Sequence, residues 1–149
     1  MLVLFSCGSG TAQKSISLDP EAFEKKQMQK ADAILLDVRT AEEFSERHLK
    51  GAVNIDIRSS DFNSRVGRMD KSSPVYVYCL SGGRSAAAAQ ILVDMGFEEV
   101  YEMNGGISRW LAENRPVEIG NFNPNQGRSE EHTSELQSLA YPRMPSSAW

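Results

Sequence analysis

Short apolar runs alternate with stretches whose apolar residues recur at helical spacing, and this alternation organises the middle of the chain. Ile16-Ser17-Leu18 is a short strand candidate. Asp19-Pro20 follows as an N-cap with proline at the first helical position, and Glu21 suits the dipole of a helix running to about Gln29. Ala33-Ile34-Leu35-Leu36-Asp37-Val38 is nearly continuous in apolar character, the pattern of a strand covered on both faces. Thr40-Ala41-Glu42-Glu43 has the spacing of a capping box and opens a short helix containing Phe44. Gly51-Ala52-Val53-Asn54-Ile55 predicts a third strand, and residues 59–66 a weak polar helix. Pro74-Val75-Tyr76-Val77-Tyr78-Cys79 is a fourth strand, β-branched and aromatic, with Cys79 as its last residue. A helix over 85–95 carries Ala88, Leu92 and Met95 on one face and stops at Gly96. Glu99-Val100-Tyr101 is a fifth strand. Gly105-Gly106 then turns the chain into a helix with Ile107, Trp110 and Leu111 on one side and Pro116 beyond its end. Strands alternating with helices predict βαβ units, hence an α/β fold with a mostly parallel sheet and helices on both faces.

The ends do not share this pattern, so the chain divides into a tether (1–15), a folded domain (16–118) and a disordered tail (119–149). Leu4-Phe5-Ser6-Cys7 resembles the lipobox of bacterial lipoproteins, which makes Cys7 a lipidation candidate. It implies a periplasmic or membrane-anchored protein, held by lipid rather than by a spanning helix; the alternative is a cytoplasmic one. In the tail, Arg128-Ser129-Glu130-Glu131-His132-Thr133-Ser134-Glu135-Leu136-Gln137-Ser138 resembles the translation of a sequencing-library adapter, so residues 128–149 are read as artefactual.

Composition narrows the function classes. The 149 residues hold 16 Lys+Arg against 20 Asp+Glu, a net charge of −4, which speaks against a nucleic-acid partner. Two cysteines, Cys7 and Cys79, cannot make a disulfide framework, and two separated histidines, His48 and His132, give no zinc-ligand spacing.

The chemistry gathers where the fourth strand ends. In an open parallel sheet, ligands bind beyond the carboxyl ends of the strands. Cys79 is followed by Leu80-Ser81-Gly82-Gly83-Arg84 and then by a helix, which puts its sulfur in a glycine-rich loop at a helix N-terminus. Converging N–H groups, the helix end and Arg84 suit an anion and lower a cysteine pKa, making a thiolate nucleophile.

Four pieces in order resemble the rhodanese (sulfurtransferase) domain. They are Leu36-Asp37-Val38-Arg39 with Glu43-Phe44; His48-Leu49-Lys50-Gly51-Ala52-Val53-Asn54-Ile55; Tyr78-Cys79-Leu80-Ser81-Gly82-Gly83-Arg84-Ser85; and Asn104-Gly105-Gly106-Ile107 with Trp110. The resemblance implies a single-domain rhodanese-like fold around a five-stranded parallel sheet. It implies Cys79 as the catalytic, sulfur-carrying nucleophile, with Leu80, Ser81, Gly82, Gly83 and Arg84 as the substrate-binding loop. Sulfane sulfur would pass from thiosulfate or a persulfide to a thiol or other thiophilic acceptor, through a Cys79 persulfide, with no metal or organic cofactor. The partners expected are therefore a small anionic sulfur donor and a thiol acceptor, acting on a monomer. Leu80 stands where many thiosulfate-using members carry arginine. Asp37 and Arg39 are supporting scaffold at the end of the second strand, Arg58 follows the third strand near the pocket mouth, and His48 is a hydrogen-bonded turn residue rather than a base. Two other readings stand beside this one: a non-enzymatic binding module on the same fold, and a phosphatase-like anion site. Four residues separate Cys79 from Arg84, one fewer than in tyrosine-type phosphatases, which favours sulfur over phosphoryl chemistry.

Overall fold

The computed structural model describes residues 13–120. Cys7, the tether before residue 13 and the tail from 121 to 149 lie outside the described residues. The elements run β1 (Ile16–Leu18), α1 (Pro20–Gln27), β2 (Ile34–Asp37), α2 (Ala41–Glu46), β3 (Val53–Asn54), α3 (Phe62–Gly67), β4 (Val75–Tyr78), α4 (Gly83–Asp94), β5 (Val100–Met103) and α5 (Gly106–Ala112). The five strands form one sheet in the order β1-β5-β4-β2-β3, and every pairing is parallel.

Strand side chains alternate between two apolar layers, as the two-residue period requires. Leu36, Val75, Val77 and Val100 face Phe62 and Val66 of α3 and Ala88, Ala89 and Leu92 of α4. Leu35, Tyr76, Tyr78, Tyr101 and Met103 face Phe23 of α1, Phe44 of α2 and Ile107 and Trp110 of α5. All four residues of β4 are buried, which is why this segment reads as continuously apolar and aromatic. Burying each Val or Leu completely contributes roughly 1.5–3 kcal/mol, so the central strand is the most firmly held part of the sheet.

Local signals decide some boundaries and tertiary contacts decide others. The capping box is formed: Thr40 Oγ1 accepts from Glu43 N–H (3.2 Å) and Glu43 Oε2 accepts from Thr40 N–H (3.0 Å). Asp19 does sit at the N-cap of α1, but its carboxylate does not cap the helix. It accepts instead from Arg109 Nη1 (2.6 Å) and Asn104 Nδ2 (3.1 Å), tying α1 to α5. The third strand is shorter than its sequence suggests, because it is an edge: only Val53 and Asn54 pair, with Leu36 and Asp37. The fifth strand is longer, reaching Met103, because Ile16, Ser17 and Leu18 pair along its far side. No helix of the described residues is long and apolar enough to cross a membrane.

Candidate active site

β4 ends at Tyr78, one residue earlier than its sequence pattern implies, and Cys79 stands just beyond it. The reason lies in α5. The Cys79 carbonyl accepts from Ile107 N–H (2.9 Å) and the Leu80 carbonyl from Ser108 N–H (3.0 Å), so the chain leaves the sheet to meet the N-terminus of a helix. In a trans peptide the C=O and the following N–H point in opposite directions. Anchoring the Leu80 carbonyl on α5 therefore turns the Ser81 N–H toward the sulfur. The contact is close: a Cβ on Gly106 would lie 2.4 Å from the Leu80 oxygen and 2.5 Å from the Cys79 oxygen.

The sulfur is cupped from several sides. Gly82 N–H donates to Cys79 Sγ at 3.1 Å, and the N–H groups of Ser81 and Ser85 also stabilise its charge. Ser85 Oγ lies 3.4 Å from Sγ and its hydroxyl donates to the Gly82 carbonyl (3.1 Å). As a thiol, Cys79 donates to Ser85 Oγ; once ionised, it needs that hydroxyl to turn and donate to the sulfur. Burial is the largest single influence on the thiol and raises its pKa. The Ser85 hydroxyl and the N–H groups of Ser85, Gly82 and Ser81 together outweigh burial, and the net shift is downward. Cys79 is only 1% exposed, so the tip of a donor reaches it more readily than a bulky tetrahedral centre.

The two loop glycines differ. Gly82 has φ +119°, a conformation that side chains rarely adopt, and it delivers the N–H that touches the sulfur. Gly83 is the first residue of α4, with open space where a Cβ would stand. Ser85, buried on the first turn of α4, is a site residue that the loop motif alone does not single out. A hydroxyl six residues past Cys79, on the first turn of the following helix, is the signal in the sequence that points to it.

Arg84 does not point a free charge into the bowl. Its Nη1 donates to Glu43 Oε2 (2.7 Å) and its Nη2 to Glu43 Oε1 (2.8 Å). Glu43 thus has two duties, capping α2 and clamping the start of α4. The hydrogen bonds from Arg84, more than any other influence, hold the Glu43 carboxyl at about 2 against a usual 4.5. A carboxyl with a depressed folded-state pKa stabilises the protein fully above its unfolded value of 4.5, and that contribution is lost as pH falls toward about 2. Because the pair is partly exposed, its effect is about 1–2 kcal/mol after allowing for solvent screening. Urea unfolding should therefore show stability falling as pH drops below about 4.5, with the fall shallower in Glu43→Gln; equal slopes in the two proteins would refute the assignment.

Asp37 and Arg39 build a buried frame beside β4. Arg39 places its N–H (3.0 Å), Nε (3.0 Å) and Nη2 (2.6 Å) on the Asp37 carboxylate and donates again from Nη2 to the Arg47 carbonyl (2.8 Å). Asn54 Nδ2 donates to the carbonyls of Asp37 (3.1 Å) and Arg39 (2.8 Å), which joins the ends of β2 and β3. Asp37 pairs in register with Tyr78, so this frame fixes the strand that carries Cys79. Arg58 is exposed, and its described bond is a backbone N–H to Asp56 Oδ1 (2.9 Å). His48 is buried, its Nδ1 donating to the Phe44 carbonyl (2.8 Å), its ring stacked on Phe44 and its Nε2 3.6 Å from Glu118. Both ring nitrogens thus face groups other than Cys79. Among the described residues no group of three His, Cys, Asp or Glu side chains could hold a metal ion.

Comparison with known proteins agrees with this architecture. The family described as rhodanese-like domain matches residues 19–113. The chain belongs to the rhodanese-like domain family. A thiosulfate sulfurtransferase GlpE of Glaesserella parasuis is 37% identical over 93 residues, covering 62% of this chain and 84% of the relative. The Coxiella burnetii protein of the same name is 35% identical over 96 residues, covering 64% and 87%. A rhodanese-related protein from Thermoplasma volcanium superposes with a TM-score of 0.59 at 27% identity, over 72% of this rhodanese-like chain and 99% of that one.

One consequence of the geometry concerns Ser85. Removing its hydroxyl in Ser85→Ala withdraws a group that favours the thiolate while leaving the amides in place, so the Cys79 pKa should rise. In a Cys7→Ser background, the pH profile of iodoacetamide alkylation should move to higher pH in Ser85→Ala. A superimposable profile would show that the hydroxyl is merely structural.

Proposed function

We propose that the protein is a rhodanese-type sulfurtransferase in which the Cys79 thiolate is the nucleophile. In the first half-reaction the thiolate attacks the outer sulfur of thiosulfate or a persulfide. A new S–S bond forms at Cys79 as the donor's own bond to that sulfur breaks. With thiosulfate, sulfite departs with the bonding electron pair and the negative charge stays on the Cys79 persulfide. The N–H groups of Ser81, Gly82 and Ser85 then serve the terminal sulfur as they serve the thiolate. In the second half-reaction a thiophilic acceptor, such as a thiolate, attacks that terminal sulfur and Cys79 leaves as thiolate. This double displacement gives ping-pong kinetics.

The observation that carries the reading is the sulfur of Cys79 held at 3.1 Å by Gly82 N–H inside a ring of amides with a lowered pKa. The relatives named thiosulfate sulfurtransferase support it. Arg84 and the Asp37–Arg39 frame serve by keeping the loop in shape. The test is the intact mass of the protein after incubation with thiosulfate and removal of the reagent. A gain of one sulfur atom, mapped to Cys79 and discharged by cyanide or a thiol, is the expected result. A protein that stays unmodified at high concentrations of thiosulfate and of an organic persulfide would overturn the proposal.

A further inference from the structure

Resting on the sulfurtransfer reading above, we infer that the donor preferred by this site is a small organic molecule with no more than one negative charge and an apolar substituent, selected by Leu80. Thiosulfonates and organic persulfides are of this class; thiosulfate, a compact dianion, is not.

The first observation is the charge on the rim. Arg84, the cation of the loop, is engaged at both ends of its guanidinium by Glu43. Arg39 is buried against Asp37. Arg58 stands in solvent, and the neighbouring Asp56 carboxylate accepts its backbone N–H and also acts on Arg84. Of these three arginines, then, Arg84 and Arg39 are matched by the carboxylates of Glu43 and Asp37, and Arg58 stands exposed. What faces the sulfur itself is the set of N–H dipoles and the N-terminus of α4, together equivalent to about half a positive charge. That set is already used by the Cys79 thiolate itself. A dianion approaching the thiolate brings three negative charges together; a monoanion brings two, and the repulsion falls in proportion.

The second observation is the shape of the approach. Cys79 is almost wholly enclosed, so a donor inserts only its terminal sulfur and leaves its remainder at the rim. At that rim stands Leu80, directly after the nucleophile and 43% exposed. Its backbone is fixed by the Leu80 carbonyl on Ser108 N–H, which holds this apolar side chain next to the nucleophile in the chain. An alkyl or aryl group resting there removes apolar surface from water on both sides. The sulfonate oxygens of thiosulfate would instead be desolvated against it without a partner.

The step balances with either member of the class. With a thiosulfonate, the Cys79 thiolate attacks the terminal sulfur, the S–S bond to the sulfonyl sulfur breaks, and the sulfinate leaves with the electron pair. With a protonated organic persulfide, the terminal S–H is transferred with its proton and the thiolate of the donor leaves. No external oxidant or reductant enters.

The experiment compares kcat/KM for benzenethiosulfonate and for thiosulfate, each divided by the rate of the same donor with a small free thiol to remove intrinsic reactivity. The wild type should favour benzenethiosulfonate by about tenfold or more, and Leu80→Arg should erase that preference by raising the thiosulfate value. Because Leu80 is exposed, the variant is expected to fold, and a urea midpoint confirms it. A wild-type preference for thiosulfate, or a ratio unchanged by Leu80→Arg, would overturn the inference while leaving sulfur transfer intact. If neither donor adds sulfur to Cys79, the sulfurtransfer reading itself fails and the donor preference with it.

Discussion

Cys79→Ser should give a folded protein whose sulfur transfer falls by about a thousandfold or more, to the rate of the uncatalysed exchange. A serine hydroxyl stays protonated where the thiol ionises. The bowl supplies hydrogen bonds to a charge already formed, not a base that could create one. His48 is no substitute, since its Nδ1 is spent on the Phe44 carbonyl and its Nε2 faces Glu118. Serine nevertheless fits the space and finds the same partners, Gly82 N–H and Ser85 Oγ, so stability should change by no more than about 1 kcal/mol. Thiocyanate formation from thiosulfate and cyanide measures the transfer, and a urea titration measures the fold. Turnover above about one per cent of wild type in a folded Cys79→Ser protein would remove Cys79 from the chemistry.

Gly106→Ala is the second large effect, and it acts on the fold. Gly106 has φ +59°, and a methyl there would meet backbone rather than a movable side chain: the Leu80 oxygen at 2.4 Å and the Leu80 carbon at 2.5 Å. Backbone strain and forced displacement together cost about 2–5 kcal/mol. That is a large share of the roughly 5–15 kcal/mol by which domains of this size are stable. Any molecules that do fold must push α5 off the Cys79 and Leu80 carbonyls, which frees the Ser81 N–H to rotate from the sulfur. Stability and thiolate formation should therefore fail together. Gly83→Ala is the matched control, because a Cβ there meets nothing within 4 Å. It should stay within about 1 kcal/mol of wild type. Urea midpoints for the two variants decide the matter, and a Gly106→Ala midpoint equal to that of Gly83→Ala would contradict the packing described.

The two effects differ in how they could have been foreseen. Cys79, its glycine loop and the helix behind it are contiguous, so their chemistry is legible from local order. Glycine at 106 reads only as a turn residue, because the atoms it must avoid belong to a loop more than twenty positions earlier. Glu43 illustrates the same divide: its capping box with Thr40 is legible from spacing, whereas its grip on Arg84 joins residues 41 positions apart. Arg84 looks from its position like a cation offered to an anionic donor. The pairing with Glu43 makes it a brace instead.

Periodicity and local order by themselves determined the α/β class, the number of strands, the faces of the helices and the place of Cys79 at the end of the fourth strand. Each of these follows from side chains within a few residues of one another, where backbone geometry leaves little choice. Tertiary structure alone decided where strands stop, since β3 and β5 are cut or extended by the neighbours they pair with. It also decided that Asp19 binds Arg109 rather than its own helix, that Ser85 reaches the sulfur, and that Arg84 is paired with Glu43. Those outcomes depend on which distant groups arrive at the same point, and a linear pattern carries no record of that.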